Sequence, residues 1–139
     1  MTNAELILEA KKARERAYAP YSHHTVGAAL VSKSGAIYHG CNIENAAYGP
    51  TNCAERTAFF KAVYDGVREF EKIAIVGGME GTDGNVPCAP CGVCRQVMME
   101  FCNPDDFKII LAAGENEEIE LLLRDLLPYG FGPGNLKKM

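Results

Sequence analysis

Leu6, Ala10, Ala13 and Ala17 recur at helical spacing, with Glu5, Lys11, Lys12, Arg14 and Glu15 mostly on other faces. This periodicity predicts a helix over 4–17, closed by the following Pro20. Residues 26–31 form a continuous apolar run, Ser34-Gly35 marks a turn, and 36–41 returns, the pattern of a hairpin. Residues 42–52 are polar and turn-rich, with Gly49-Pro50 as punctuation. A second helix is predicted over 53–64, with Ala58, Phe59, Ala62 and Val63 inward and Asp65-Gly66 at its end. A short buried strand over 73–76 leads into a loop over 77–90. A third helix over 92–101 is expected to turn Val93, Val97 and Phe101 inward. Strands over 107–113 and 117–122 precede a Pro- and Gly-rich tail over 123–139. The order predicts an α/β layered domain, one mixed sheet between helices.

Composition narrows the reading. With 139 residues, 47% hydrophobic and 23% charged, the chain has the make-up of one ordinary globular domain over 1–139. A formal net charge of −4, without a Lys/Arg cluster, argues against nucleic acid as a partner. The N-terminus carries no basic region leading into an apolar stretch, and no apolar run reaches membrane-spanning length. The expected location is cytoplasmic. There, the six cysteines read as metal ligands plus spare buried thiols rather than a disulfide framework.

Two motifs carry chemistry. Cys53-Ala54-Glu55 opens the second predicted helix, and Pro90-Cys91-Gly92-Val93-Cys94-Arg95-Gln96 opens the third. Together they offer three thiolates, one ligand short of a closed tetrahedron, which is what a catalytic zinc requires. Each motif falls at a helix N-terminus, where partial positive charge and unpaired N–H groups favour thiolate over thiol. Arg56 follows Cys53 by three residues, nearly on the same face, and is placed to donate to sulfur. It would draw off charge that otherwise makes a three-thiolate zinc a poor electrophile. Glu55 is placed beside the metal without binding it, as a proton carrier.

Pro87-Cys88-Ala89-Pro90-Cys91 also has the form Pro-Cys-x-x-Cys, so Cys88 competes for the ligand role. Cys91 with Cys94 is preferred, because Pro90 removes an N–H that sulfur would use. A closed site of Cys53, Cys88, Cys91 and Cys94 would make the zinc structural. His23, His24 and His39 lack metal-ligand spacing, although His23-His24 stands at a strand entry and is suited to lining a pocket. Cys41 and Cys102 read as small buried residues. A structural zinc module and a thiol oxidoreductase using Cys91 and Cys94 are the rivals from other classes, and the latter leaves Cys53-Ala54-Glu55 unexplained.

Further blocks accompany these motifs: Ala19-Pro20-Tyr21-Ser22, Val26-Gly27-Ala28-Ala29-Leu30, Gly40-Cys41-Asn42-Ile43-Glu44-Asn45-Ala46, and Leu126-Leu127-Pro128 with Phe131-Gly132-Pro133. In this order, almost end to end, the chain resembles the small homotetrameric zinc-dependent cytidine deaminases. The resemblance implies a three-layer α/β fold with a mixed five-stranded sheet flanked by helices. It implies zinc on Cys53, Cys91 and Cys94, and hydrolytic deamination of cytidine and deoxycytidine in pyrimidine salvage. In that family a zinc-bound hydroxide attacks C4 while Glu55 protonates N3 and then serves the departing ammonia. Asn42 and Glu44 would hold the ribose hydroxyls, and the Ala54 N–H would meet the pyrimidine O2. Tyr48 and Phe131 would complete sites across subunit contacts. One departure stands out: His24 occupies the place of a phenylalanine usual in the family, giving a smaller, polar, titratable ring against the nucleoside. Related substrates, such as a modified cytosine nucleoside or blasticidin S, are the alternative within the deaminases.

Overall fold

Thr2 opens the first helix, α1 (Asn3–Arg14), with a reciprocal cap. Its hydroxyl accepts from Glu5 N at 3.1 Å, and the Glu5 carboxylate accepts from Thr2 N at 3.1 Å. Lys11, Lys12 and Arg14 occupy the last turn, where positive charge suits the helix dipole. The computed structural model describes residues 1–137. After α1 come β1 (His24–Ser32), β2 (Ile37–Cys41), α2 (Ala54–Tyr64), β3 (Phe70–Met79), α3 (Gly92–Phe101), β4 (Lys108–Gly114) and β5 (Glu117–Leu122). Two short helices, α4 (Leu123–Leu126) and α5 (Pro133–Lys137), lie in the tail.

The strands form one mixed sheet in the order β2-β1-β3-β4-β5. All neighbours are antiparallel except β3 and β4, which the α3 crossover makes parallel. Both faces are covered, so β1 reads as a continuous apolar run rather than an alternation. On one face Ala29, Val31, Ala74, Val76, Ile110 and Ala112 pack with Leu6, Ile7 and Ala10 of α1. On the other, Ala28, Leu30, Ile73, Ile75, Ile109 and Leu111 pack with Ala58, Phe59 and Ala62 of α2 and Met98 of α3. Phe59 anchors this larger core, edge-on to Phe70 at 5.0 Å. The result is three layers, with α1 behind the sheet and α2 and α3 in front.

The structure revises several boundaries. The first helix ends at Arg14 rather than 17, because Tyr18 leaves to pair with Ile43 and its N–H donates to the Asn42 carbonyl at 2.9 Å. The third strand runs over Phe70–Met79, well beyond 73–76. On α3, Val93 is 58% exposed rather than inward, and the buried residues are Cys94 and Met98. The helix has turned its cysteine face, not its valine stripe, toward the protein. Val97 and Phe101 still touch the core from the flank. Cys41 and Cys102 are half-buried rather than buried. Residues 138 and 139 of the predicted tail lie outside the described residues.

Helix α2 lies directly on β2 at Gly40. A Cβ there would stand 2.2 Å from the Ala54 carbonyl oxygen and 2.6 Å from Ala58 N, both backbone atoms that cannot swing aside. Gly40→Ala must therefore push the start of α2 outward. The expected cost is about 3 kcal/mol, the upper end for overpacking, read from urea denaturation. A variant as stable as the parent would contradict this packing.

Candidate active site

Cys53 is the N-cap residue of α2 and Cys91 that of α3. Both have extended backbone (φ −77° and −68°), and of the two only the Cys91 side chain caps its own helix. Cys91 Sγ accepts from Cys94 N at 3.5 Å. Because α2 and α3 sit side by side on one face of the sheet, their N-termini converge. The Sγ atoms of Cys53, Cys91 and Cys94 all lie within 4.8 Å of one another.

Cys53 Sγ and Cys91 Sγ are 3.7 Å apart, far beyond a disulfide bond length of about 2.05 Å. A tetrahedral metal with metal–sulfur bonds of about 2.3 Å needs sulfurs about 3.8 Å apart. The donor set therefore fits zinc in both softness and spacing. Arg56 Nη2 donates to Cys53 Sγ at 3.3 Å, and its Nε is buried without a protein partner among the described residues. The Cys53 thiol is pulled down to about 5, first by a hydrogen bond from Cys94 and further by Arg56. Sharing that proton pushes Cys94 up. Three thiolates in one place need more positive charge than Arg56 brings, and a divalent cation supplies it.

Glu55, on the first turn of α2, is 4% exposed. Burial above all, with the adjacent Cys53 thiolate adding to it, pushes its carboxyl up to about 7. A carboxyl poised there can take and give a proton near neutral pH.

A cleft of about 220 Å³ opens over these groups. One wall comes from Ser22, His24 and Val26, and another from Asn42, Glu44, Thr51 and Asn52. Cys53, Ala54 and Glu55 form the floor, facing Cys88, Ala89 and Cys91 on the loop that leaves β3. Asn42 is buried and bridges to β1, its Oδ1 accepting from Val26 N and its Nδ2 donating to the His24 carbonyl, both at 2.8 Å. The Glu44 carboxylate accepts from Tyr21 N at 3.0 Å, from Ser22 N at 3.1 Å and from the Ser22 hydroxyl, bonds that hold it ionised. Cys88 lies outside the three-sulfur cluster, and burial pushes its thiol up to about 11. A Cβ on Gly77 would stand 2.7 Å from its Sγ, so Cys88 packs down onto bare strand backbone.

Tyr48 and Phe131 do not join the cleft within one chain. Tyr48, at φ +63°, is 71% exposed, and Phe131 is 56% exposed with its carbonyl accepting from Gln96 Nε2 at 2.8 Å. Sequence reasoning did not assign Ser22, Val26, Thr51, Asn52 or Ala89 to the site. Ser22 stood inside a noted motif block, but nothing local signals that it holds Glu44. Arg95 proves to be a brace, with Nε donating to the Pro90 carbonyl and Nη1 to the Leu126 carbonyl, both at 2.8 Å.

Residues 1–111 match the sequence profile of the cytidine and deoxycytidylate deaminase zinc-binding region. The chain is 54% identical over 132 residues to a cytidine deaminase of Sporosarcina psychrophila, covering 95% of this chain and 93% of that protein. It is 50% identical over 131 residues to a cytidine deaminase of Halalkalibacterium halodurans, covering 94% and 95%. The crystal structure of a cytidine deaminase from Burkholderia pseudomallei superposes with a TM-score of 0.84 at 50% identity, covering 94% of this chain and all (100%) of that one.

The raised Glu55 carboxyl makes a prediction for the metal-free protein. Its folded value, near 7, lies above the ordinary 4.5. Between those values the unfolded chain has released its proton while the folded chain keeps it, so stability falls as pH rises, and the cost is complete above about 7. Glu55→Gln removes that cost. With chelator present, its stability relative to the parent should rise by about 3 kcal/mol between pH 4.5 and 7.5. The lowered Cys53 value acts in the opposite sense in both proteins. A difference that stays constant with pH in urea denaturation would contradict the burial argument.

Proposed function

The chain belongs to the cytidine and deoxycytidylate deaminase family, and on that premise we propose that it hydrolyses cytidine and deoxycytidine to uridine and deoxyuridine with release of ammonia. The carrying observation is the buried Glu55 carboxyl beside the three converging thiolates. Cys53, Cys91 and Cys94 would hold zinc, which when bound would supply the Lewis acidity that makes water nucleophilic near neutral pH.

The chain's own groups do the rest. Glu55 takes a proton from the attacking water, delivers it to N3, and then carries the proton of the new C4 hydroxyl to the amine leaving C4. Arg56 spreads the negative charge of Cys53. The Ala54 N–H, among the first-turn amides that no helical carbonyl reaches, is suited to the pyrimidine O2. Asn42 keeps a free amide hydrogen beside its bonds to β1, and Glu44 keeps lone pairs beside its bonds to the 21–22 backbone. Both are suited to ribose hydroxyls. His24 lines the cleft and offers the base an imidazole instead of a larger aromatic face.

Residues 1–139 act as one deaminase domain in this reading, placed in pyrimidine salvage. Free thiols at all six cysteines favour a reducing cytoplasm. Among the described residues no helix is long and apolar enough to cross a membrane. The exposed Tyr48, Tyr64, Tyr129 and Phe131 support a homotetramer in which Tyr48 and Phe131 serve neighbouring clefts.

The test combines zinc content with ammonia release over a nucleoside panel. About one zinc per chain is expected. Glu55→Gln should keep its metal while turnover falls by roughly a hundredfold or more, and parental turnover would sink the assignment. Cys91→Ser should lose zinc and Cys88→Ser should retain it. The reverse would exchange their roles.

The assembly has its own check. Phe131→Ala should raise KM with zinc content unchanged, and the parent should sediment as a tetramer. An active monomer at assay concentration would contradict the shared cleft.

A further inference from the structure

Behind the sheet, on the side away from the cleft, all three guanidinium nitrogens of the half-buried Arg14 donate. Nε donates to the Thr25 carbonyl and hydroxyl, both at 3.0 Å. Nη1 donates to the Thr82 carbonyl at 2.8 Å, and Nη2 to the Met79 carbonyl at 2.9 Å and the Thr82 hydroxyl at 3.2 Å. One side chain of α1 thus joins β1, the end of β3 and the start of the loop over 80–91. Gly84, with φ +73°, closes the loop over the guanidinium, and a Cβ there would stand 2.7 Å from Nη1. The loop is shaped around Arg14.

What Arg14 holds is the frame of the cleft. Thr25 lies between His24 and Val26, which line the front wall, and strand alternation turns Thr25 to the back. Gly27 on that same back face abuts the backbone of Ala10 and Arg14. The loop that begins at the Met79 and Thr82 contacts ends in Cys88, Ala89 and Cys91, the opposite wall. A further tie, Glu80 N to the His23 carbonyl at 2.6 Å, runs between the same two segments.

We propose that Arg14 is a positioning residue whose guanidinium fixes the departure of the 80–91 loop from the sheet, and so sets how firmly Cys91 is held against Cys53 and how tightly zinc is retained. This rests on the zinc deaminase reading. The fork geometry matters beyond the charge, because a lysine ammonium is a point donor that cannot span Thr25, Met79 and Thr82 together. Without the clasp, the loop must be ordered each time the thiolates assemble, and that entropy is charged against metal binding.

The experiment compares Arg14→Lys, Arg14→Ala and the control Lys12→Ala, whose ammonium pairs with Glu9 on the surface. Zinc-loaded proteins are mixed with a chelator well below their unfolding temperature. Both Arg14 variants should release zinc about tenfold faster, the lower end for residues that support metal ligands, and Lys12→Ala at the parent rate. Amide exchange should rise over 80–91 and stay unchanged in β4. Kcat should fall more than KM rises, and millimolar guanidinium should partly restore Arg14→Ala. Parental zinc release, or exchange rising equally across the whole sheet, would overturn the proposal. Should Arg14→Ala not fold, Thr82→Val decides: it removes an acceptor of Arg14 together with the hydroxyl's own bond to the Met79 carbonyl, and zinc release unchanged from the parent would overturn the clasp. A parent chain that neither holds zinc nor releases ammonia would overturn the deaminase reading, and this proposal with it.

Discussion

Three cysteine sulfurs within 4.8 Å of one another repel as thiolates and waste their chemistry as thiols. The surroundings resolve this conflict with positive charge from several sources. Two helix N-termini point their unpaired amides at the cluster, Arg56 donates to Cys53, and a divalent cation completes the balance. The same cluster shapes Glu55. Its carboxyl, out of water and beside a thiolate, is raised to about 7, where it can both take and give a proton near neutral pH. Metal binding and proton transfer are therefore two consequences of one electrostatic arrangement.

That arrangement needs two helices to begin at the same place, and the sheet provides this. Helix α2 is pressed onto β2 at Gly40, while α3 crosses from β3 to β4 on the same face. The strands β1 and β3 are paired from His24 to Met79, so the cleft wall on β1 and the loop leaving β3 start from adjacent backbone. Asn42 and Glu44 tie the 42–44 segment to β1 and to residues 21–22 respectively, and Arg95 braces the α3 start against the tail. A site with few catalytic groups thus rests on many polar ties drawn from distant parts of the chain.

Much of this was legible in the sequence, for reasons that also explain what was not. The order of helices and strands follows from apolar periodicity, and the thiolate motifs follow from spacing within single turns. Both are local. Glu71, Lys72, Gly77 and Gly78 interrupt the apolar run of strand β3, so periodicity marks only its centre. Yet Lys72 reaches Met1 O at 2.9 Å and Asn3 Oδ1 at 2.8 Å, which lets a lysine sit within a buried strand. On α3 the valines form a stripe of their own at helical spacing, and periodicity alone does not choose between that stripe and Cys94 with Met98. The sulfur cluster makes the choice, through contacts with α2. The Glu44 and Ser22 pairing and the five bonds of Arg14 join segments far apart in sequence, about which periodicity says nothing.

Zinc K-edge X-ray absorption on the purified protein tests the electrostatic account most directly, because it counts the neighbours around the metal. Three sulfurs at about 2.3 Å and one lighter neighbour at about 2.0 Å are expected, the signature of an open position beside Glu55. Four sulfurs would bring Cys88 into the shell, close the site, and leave the buried carboxyl without a reaction to serve.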